Sequence, residues 1–277
     1  MILVTGGTGH LGSHVLYELV KKNKPVRAIY RNINHLSTTR EVFSYYESGD
    51  DSFNKIEWIE ADINDYYALC NSLRGISHVF HTAGYVSFND KERVKLNHIN
   101  ADGTANIVNA CLETGNIRLC HVSSIAALGE LADGLPVNET ILWNQGETAS
   151  AYAKSKYQAE MEVWRGIHEG LNALIVNPSV IIGPGMWLGP GRNLWKSVQQ
   201  GLGFYAIGSA GYVDVRDVAS IMIWLSDLEI SGERFILNSG HMTHREFLGS
   251  LAKGLKAKEP HISVTPFLSR VALIIES

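Results

Sequence analysis

The first twelve residues, Met1-Ile2-Leu3-Val4-Thr5-Gly6-Gly7-Thr8-Gly9-His10-Leu11-Gly12, constrain the chain most. A short apolar run ends in a glycine-rich turn, and an amphipathic stretch follows. This is the strand, turn and helix that open a dinucleotide-binding βαβ unit. The three spaced glycines have separate jobs. Gly6 permits the tight turn, Gly9 lets backbone approach a pyrophosphate, and Gly12 lets helix and strand pack closely. The pyrophosphate is then expected on the free N–H groups and positive dipole end of the helix. The expected contacts are Gly6, Thr8, Gly9, His10, Leu11 and Gly12. His10 fills an x position of the Gly-x-x-Gly-x-x-Gly spacing and fits packing or solvent contact better than binding.

A chain of 277 residues buries a full core and has room for one large domain or two smaller ones. Its formal net charge of −4 leaves no basic footprint for nucleic acid. No apolar run reaches the roughly 18–20 residues of a membrane span. With the first strand starting at residue 1, no signal peptide is expected and a cytoplasmic location is. Cys70, Cys111 and Cys120 lack metal-ligand spacing and read as free thiols in the core. The histidines form no pattern with carboxylates, so no metal is expected.

Strands are expected near 1–5, 25–30, 56–60, 78–81, 118–122 and 172–177, with helices near 11–22, 65–73, 92–115 and 150–170. Their alternation implies right-handed crossovers and a doubly wound parallel sheet covered on both faces, an α/β fold. Such sheets bind ligands at the carboxyl ends of their strands. Between Asn32 and Asn54 a helix is expected around Arg40–Tyr46 and a loop around Ser48–Asn54. After Asn177, Gly183-Pro184-Gly185 and Gly189-Pro190-Gly191 break regular structure and open a smaller lobe. A short helix near Leu194–Gln200, a glycine-rich run from Gly201 to Gly211 and a helix over His244–Leu255 follow. Tyr212–Leu225 reads as a strand end and a helix rejoining the main sheet. The expected division is 1–182 with 212–238 for the dinucleotide-binding domain, and 183–211 with 239–277 for the small substrate lobe. Trp187, Leu188, Phe204, Tyr205 and Phe267 fit an apolar pocket or the plain core of that lobe equally well. The tail, Ala272–Ser277, ends abruptly after an apolar stretch, as in a truncated or small lobe.

The second chemical signal is Ser150-Ala151-Tyr152-Ala153-Lys154-Ser155-Lys156. Tyr152 and Lys156 are four apart on a helix pattern and share a face. A tyrosine titrates near 10, and a nearby ammonium is expected to lower that value toward physiological pH. The pair then exchanges a proton with an alcohol or carbonyl. Upstream, Leu119-Cys120-His121-Val122-Ser123-Ser124 delivers two hydroxyls to the sheet edge. One of them fits a substrate oxygen, or simple capping of the strand end.

Taken together, these segments resemble an extended short-chain dehydrogenase/reductase, also called the NAD-dependent epimerase/dehydratase family. Thr5, Gly6, Gly9 and Gly12 match its Thr-Gly-x-x-Gly-x-x-Gly, and Tyr152 and Lys156 match its Tyr-x-x-x-Lys. Further matching segments are Ala61-Asp62-Ile63, His81-Thr82-Ala83-Gly84, Asn100-x-x-Gly103-Thr104-x-Asn106, Asn177-Pro178-Ser179 and Val213-Asp214-Val215-Arg216-Asp217-Val218-Ala219. The resemblance implies a Rossmann-type domain and places the catalytic serine at Ser124, with Ser123 as fallback. It implies that Asp62 and Ile63 flank the adenine, that Ala83 and Gly84 line the cofactor cleft, and that Pro178 lies near the nicotinamide. Asp214 and Asp217 read as braces of the fold. Asn100 is expected to help hold the site through backbone or water contacts. Lys156 is expected to hold the nicotinamide ribose and tune Tyr152.

The second strand ends in Arg31, where a site preferring NAD(H) usually places an acid for the ribose 2′-hydroxyl. Arginine suits a 2′-phosphate, so NADP(H) is preferred, with NAD(H) possible. Nucleotide-sugar members usually read Arg-x-x-Asn-x-x-Gly-Pro before the second lobe. Here Asn177 and Val180 hold the arginine and asparagine positions. Val79–Phe88 and the Arg31 strand are similar to the dihydroflavonol-reductase-like branch, which reduces ketones or aldehydes on apolar or aromatic substrates. The expected reaction is therefore NADP(H)-dependent reduction of a small-molecule ketone or aldehyde, with Tyr152 as general acid. The alternative is a nucleotide-sugar epimerase or dehydratase that retains NAD(P). A non-catalytic cofactor sensor is disfavoured by the intact Tyr152 and Lys156. Family resemblance also implies a homodimer.

Overall fold

The structure, a computed structural model, describes residues 1–46, 49–129, 137–144, 149–188 and 192–264. Its strands in chain order are β1 (Ile2–Thr5), β2 (Val26–Tyr30), β3 (Glu57–Glu60), β4 (His78–His81), β5 (Arg118–Val122), β6 (Asn172–Pro178), β7 (Val180–Ile182), β8 (Phe204–Ala206), β9 (Ser209–Asp214), β10 (Glu233–Leu237), β11 (Gly240–Thr243) and β12 (Ile262–Val264). Its helices are α1 (His10–Lys21), α2 (Leu36–Phe43), α3 (Gly49–Phe53), α4 (Tyr66–Ser72), α5 (Arg93–Asn97), α6 (Gly103–Thr114), α7 (Ala151–His168), α8 (Arg192–Gln199), α9 (Val215–Ser226) and α10 (His244–Gly254).

Seven strands form one sheet in the order β10-β6-β5-β4-β1-β2-β3, and every neighbouring pair is parallel. The order reverses between β1 and β4, which puts the ligand crevice of a doubly wound sheet at their carboxyl ends. Because helices cover both faces, the inner strands are buried on both sides. All four residues of β1 are buried, as are the last six of β6. On one face Leu3, Val79, Leu119 and Ile175 pack with Leu69, Ile107 and Val163 from α4, α6 and α7. On the other, α1 packs against α9 and α2.

The chain divides into two compact units. The first holds Met1–Pro178 and Val215–Leu237, and the second holds Ser179–Asp214 and the described residues from Asn238 on. The second unit contains the small sheet β11-β9-β7 and the pair β12-β8. Its core gathers Val198, Leu248 and Ala252, with Tyr205 packed against them, while Phe204 is exposed. Trp187 meets Trp195 edge-on there. Gly189-Pro190-Gly191, Phe267 and the tail 272–277 lie outside the described residues.

Several elements differ from the sequence expectation. The helix after β2 spans 36–43 rather than 40–46, because Val42 and Phe43 are its buried anchors. A helix, α3, occupies most of the expected 48–54 loop. The expected helix over 92–115 is two helices joined by a π turn at His98–Asp102. Strand β9 joins β7 and β11 in the small sheet, so within Tyr212–Leu225 the first unit takes α9 and not the strand. Strand β10 was missed: its Glu233-Arg234-Phe235-Ile236-Leu237 is an edge strand with mixed exposure and no clean alternation.

Candidate active site

The glycine turn is built as a cradle that side chains would fill. Gly6 has φ +70°, and a Cβ there would lie 2.5 Å from the Ala83 nitrogen. A Cβ on Gly12 would lie 2.1 Å from the Gly6 carbonyl oxygen. Gly9 is exposed and caps α1 without any side-chain hydrogen bond, which leaves the helix N-terminus open to an anion. Thr8 and His10 are half-buried beside it, His10 sits edge-on to His14, and Leu11 is buried. Two residues that sequence reasoning missed brace the turn from below. Ser13 Oγ donates to Gly9 O at 2.7 Å, and Thr39 Oγ1 donates to Gly7 O at 3.1 Å. This shape and donor set suit the pyrophosphate of a dinucleotide.

At the ends of β2 and β3, Arg31 and Asp62 approach at 3.8 Å, and both side chains are exposed. Asp62 Oδ1 accepts the Asn64 N–H, and Asn106 Nδ2 donates to Ile63 O. Gly103 makes room for Ile63, whose Cδ1 would lie 2.5 Å from any Cβ placed there. The Asn100-x-x-Gly103-Thr104-x-Asn106 motif thus shapes this wall of the cleft.

Asn100 sits in the π turn, a local widening often found at functional sites. Its Oδ1 accepts the Tyr85 N–H, and its Nδ2 donates to Tyr85 O and to Ser155 Oγ. Gly84 lies beside it: a Cβ there would come within 3.4 Å of Asn100 Oδ1 and 4.0 Å of Lys156 Nζ. Below, buried His81 shares hydrogen bonds with Thr5 and Thr104. Burial holds its imidazole down to about 3, and the Lys156 charge adds to this.

Helix α7 starts at a Ser150 cap, whose Oγ accepts the Ala153 N–H at 3.1 Å. Tyr152 is half-buried and Lys156 buried on the same face. Lys156 Nζ donates to Val122 O at 2.8 Å. Burial pushes this ammonium down to about 8, and Glu160 opposes the shift. Burial pushes the Tyr152 phenol above its ordinary value, partly offset by a hydrogen bond with Ser124. The expectation that Lys156 lowers Tyr152 is therefore corrected: desolvation wins, and the lysine is engaged by a carbonyl instead. The two serines separate cleanly. Ser124 faces Tyr152 and caps Ala126, whereas Ser123 is buried and donates to Glu160 at 2.6 Å. Pro178 ends β6, buried and in register with Leu237 of β10.

The order of turn, serine, tyrosine and lysine is that of a known family, whose model matches residues 2–237. This chain belongs to the NAD-dependent epimerase/dehydratase family. It is an NAD(P)-dependent enzyme of the extended short-chain dehydrogenase/reductase class. It is 27% identical over 275 residues to sterol demethylase protein B of Methylococcus capsulatus, covering 98% of this chain and 80% of that protein. It is 29% identical over 257 residues to a putative dihydroflavonol 4-reductase of Synechocystis, covering 90% and 71%. The crystal structure of gox2253 superposes with a TM-score of 0.84 at 28% identity, covering 100% of this chain and 81% of the other.

Within this member of the family, sequence reasoning missed a buried hub on α7. Glu160 Oε2 accepts from Ser123 and Asn177, and Oε1 accepts from Arg234 and Trp164. Asn177 also donates to Ser124 O at 3.0 Å. The available signal was an acid four residues after Lys156, on the Tyr152 face. Arg234 gave none, since the turn that joins it to Glu160 is tertiary. Among the described residues, no group of three or more His, Cys, Asp or Glu side chains is placed to hold a metal, and no helix is long and apolar enough to cross a membrane.

Proposed function

We propose that this chain is an NADP(H)-dependent reductase of a ketone or aldehyde. The observation that carries this reading is geometric: Tyr152 lies half-buried one turn before buried Lys156 on α7, with the Ser124 segment at the same sheet edge. A protonated phenol at neutral pH is the form a general acid requires. Gly6, Thr8, Gly9, His10, Leu11 and Gly12 would hold the pyrophosphate, with Asp62 and Ile63 at the adenine and Ala83, Gly84, Asn100 and Pro178 along the cleft. When bound, the nicotinamide supplies hydride. Tyr152 donates its proton to the carbonyl oxygen as negative charge develops there, and Ser124 hydrogen-bonds the same oxygen. Lys156 would hold the nicotinamide ribose, with its ammonium kept in place by the Val122 carbonyl. Preorganised donors of this kind stabilise the alkoxide without reorganisation at the moment of reaction.

Arg31 supports NADP(H) over NAD(H), because its exposed guanidinium stands at the end of β2 and no acid replaces it there. The Synechocystis relative is named a putative dihydroflavonol 4-reductase, which supports a reductase reading. The sugar-nucleotide reading is weakened by Val180 and Asn177, which stand where nucleotide-sugar members usually carry the asparagine and the arginine.

The test is NADPH oxidation over a panel of aldehydes and ketones, run beside a panel of UDP-sugars. Carbonyl-dependent oxidation is expected, and Tyr152→Phe should remove about 10²–10⁴-fold of it. Sugar-nucleotide interconversion without NADPH oxidation, or full turnover by Tyr152→Phe, would overturn the assignment.

A further inference from the structure

We propose that Glu160 is a positioning residue of the reduction site, which holds the Ser124 segment through Asn177 and places a negative charge one turn along α7 from Lys156. This rests on the reductase reading for its kinetic meaning, although the electrostatic part stands alone.

The geometry is that of a saturated buried carboxylate. Glu160 is 2% exposed, and both oxygens accept two hydrogen bonds each. Its donors come from four places: Ser123 after β5, Asn177 on β6, Trp164 on α7 and Arg234 on β10. Asn177 uses one NH2 group to reach both Glu160 Oε2 and the Ser124 carbonyl. The carboxylate therefore fixes the backbone from which the Ser124 hydroxyl is presented to Tyr152. Arg234 is itself anchored by the Glu139 and Ile141 carbonyls, so the pair cannot drift as a unit.

The surroundings of Lys156 leave Glu160 a second role. From β4 it faces His81, and from β5 His121. Both imidazoles are fully buried and held neutral by that burial, so neither sets a charge against the ammonium. Tyr152 stands one turn earlier on α7, and its phenol, raised by burial, brings no charge at neutral pH. Gly84 and Asn100 are uncharged. Glu160, four residues along α7, is the charge that favours the Lys156 ammonium, and burial opposes it. Arg234 shares the same carboxylate and tempers that effect.

Two variants read this in opposite directions. Glu160→Gln keeps the volume and removes the charge, so the Lys156 titration should fall by about one pH unit. Arg234→Met keeps the carboxylate and removes its other counter-ion, so the titration should rise. The first readout is the Lys156 Nζ titration by lysine-selective nitrogen NMR on the full chain. The second is the alkaline limb of kcat/KM for a carbonyl reduced with NADPH, which should move with it. Loosened packing alone would lower activity in both variants without moving the titration in opposite senses, and that result would overturn the inference. If Glu160→Gln does not fold, Arg234→Met decides: an unmoved or lowered titration refutes it. If the parent chain reduces no carbonyl, the reductase reading fails, while the NMR titration still decides the role of Glu160.

Discussion

Asn100 and Tyr85 exchange two hydrogen bonds: the Asn100 amide oxygen accepts the Tyr85 N–H at 2.7 Å, and its NH2 donates to the Tyr85 carbonyl at 3.0 Å. The same NH2 donates to Ser155, which lies between Tyr152 and Lys156 on α7. One buried side chain thus clamps the segment after Ala83-Gly84 to α7, the helix that carries Tyr152 and Lys156. Asn100→Ala leaves the Tyr85 groups without partners, at a cost of about 1–3 kcal/mol. A lower midpoint in thermal unfolding is expected, together with weaker NADPH binding by fluorescence titration. A variant with parental values for both would show that the clamp is dispensable.

The proposed preference for NADP(H) turns on one functional group, the guanidinium of Arg31. Its guanidinium is exposed and only loosely paired with Asp62 at 3.8 Å, a pair that exposure makes weak. It is therefore available to a 2′-phosphate. Arg31→Ala should raise KM for NADPH by tenfold or more, about 1.4 kcal/mol, and leave KM for NADH nearly unchanged. Steady-state kinetics with both cofactors on one substrate check this. Equal losses would assign Arg31 to adenine stacking.

Lys156 carries a stability cost that the active site imposes. Its pKa in the fold is about 8, against an ordinary value of 10.5. Between those values the unfolded chain binds more protons than the folded one, so stability rises with pH from about 8 towards 10. Below about 8 the full cost of the buried ammonium is present. Lys156→Met removes that cost together with the role proposed for this lysine, a common trade at active sites. At pH 7 its unfolding free energy should equal or exceed that of the parent, and the rise between pH 8 and 10 should disappear. Denaturant titrations at three pH values test both statements, and a variant less stable than the parent at pH 7 would contradict them.

What the sequence made readable follows from the range of the interactions. The alternation of apolar strands with amphipathic helices announced β1 to β6 because each strand carries its own burial pattern. The glycine spacing and the Tyr152–Lys156 interval are local, so their placement at one sheet edge followed from the order of the elements. The π turn at Asn100 was hidden, because helix propensity does not register one inserted residue. Ser13 and Thr39 were missed since each supports a carbonyl several residues or a whole strand away. Arg234 and Glu160 lie 74 positions apart and meet only after β10 has docked beside β6. The sign of the Tyr152 shift was misjudged for a related reason: spacing shows which charge is near, but not how much water has been removed.

The glycines of the turn make a graded series in which geometry sets the order of damage. A Cβ on Gly12 meets the Gly6 carbonyl oxygen at 2.1 Å and the Gly6 carbonyl carbon at 2.7 Å, both of them backbone. Neither can rotate away, so Gly12→Ala must push α1 off β1 and disturb Gly9 between them. Gly6→Ala meets backbone at 2.5 Å and also holds a left-handed φ of +70°, which costs an L-residue about 1–2 kcal/mol. Gly9→Ala meets only the Gly6 oxygen at 3.2 Å and needs a shift of a few tenths of an ångström. Gly75 is the reference: its φ is +72°, yet nothing lies within 4 Å of its Cβ, and it is remote from the turn. Gly75→Ala should lose about 1–2 kcal/mol of stability and bind NADPH as the parent does. Gly12→Ala and Gly6→Ala should each lose at least tenfold in NADPH affinity, and Gly9→Ala less. Thermal unfolding with and without NADPH separates the two effects, because bound cofactor raises the midpoint only where the cradle survives. A Gly12→Ala protein that NADPH stabilises as fully as the parent would show that the cofactor does not rest on this turn.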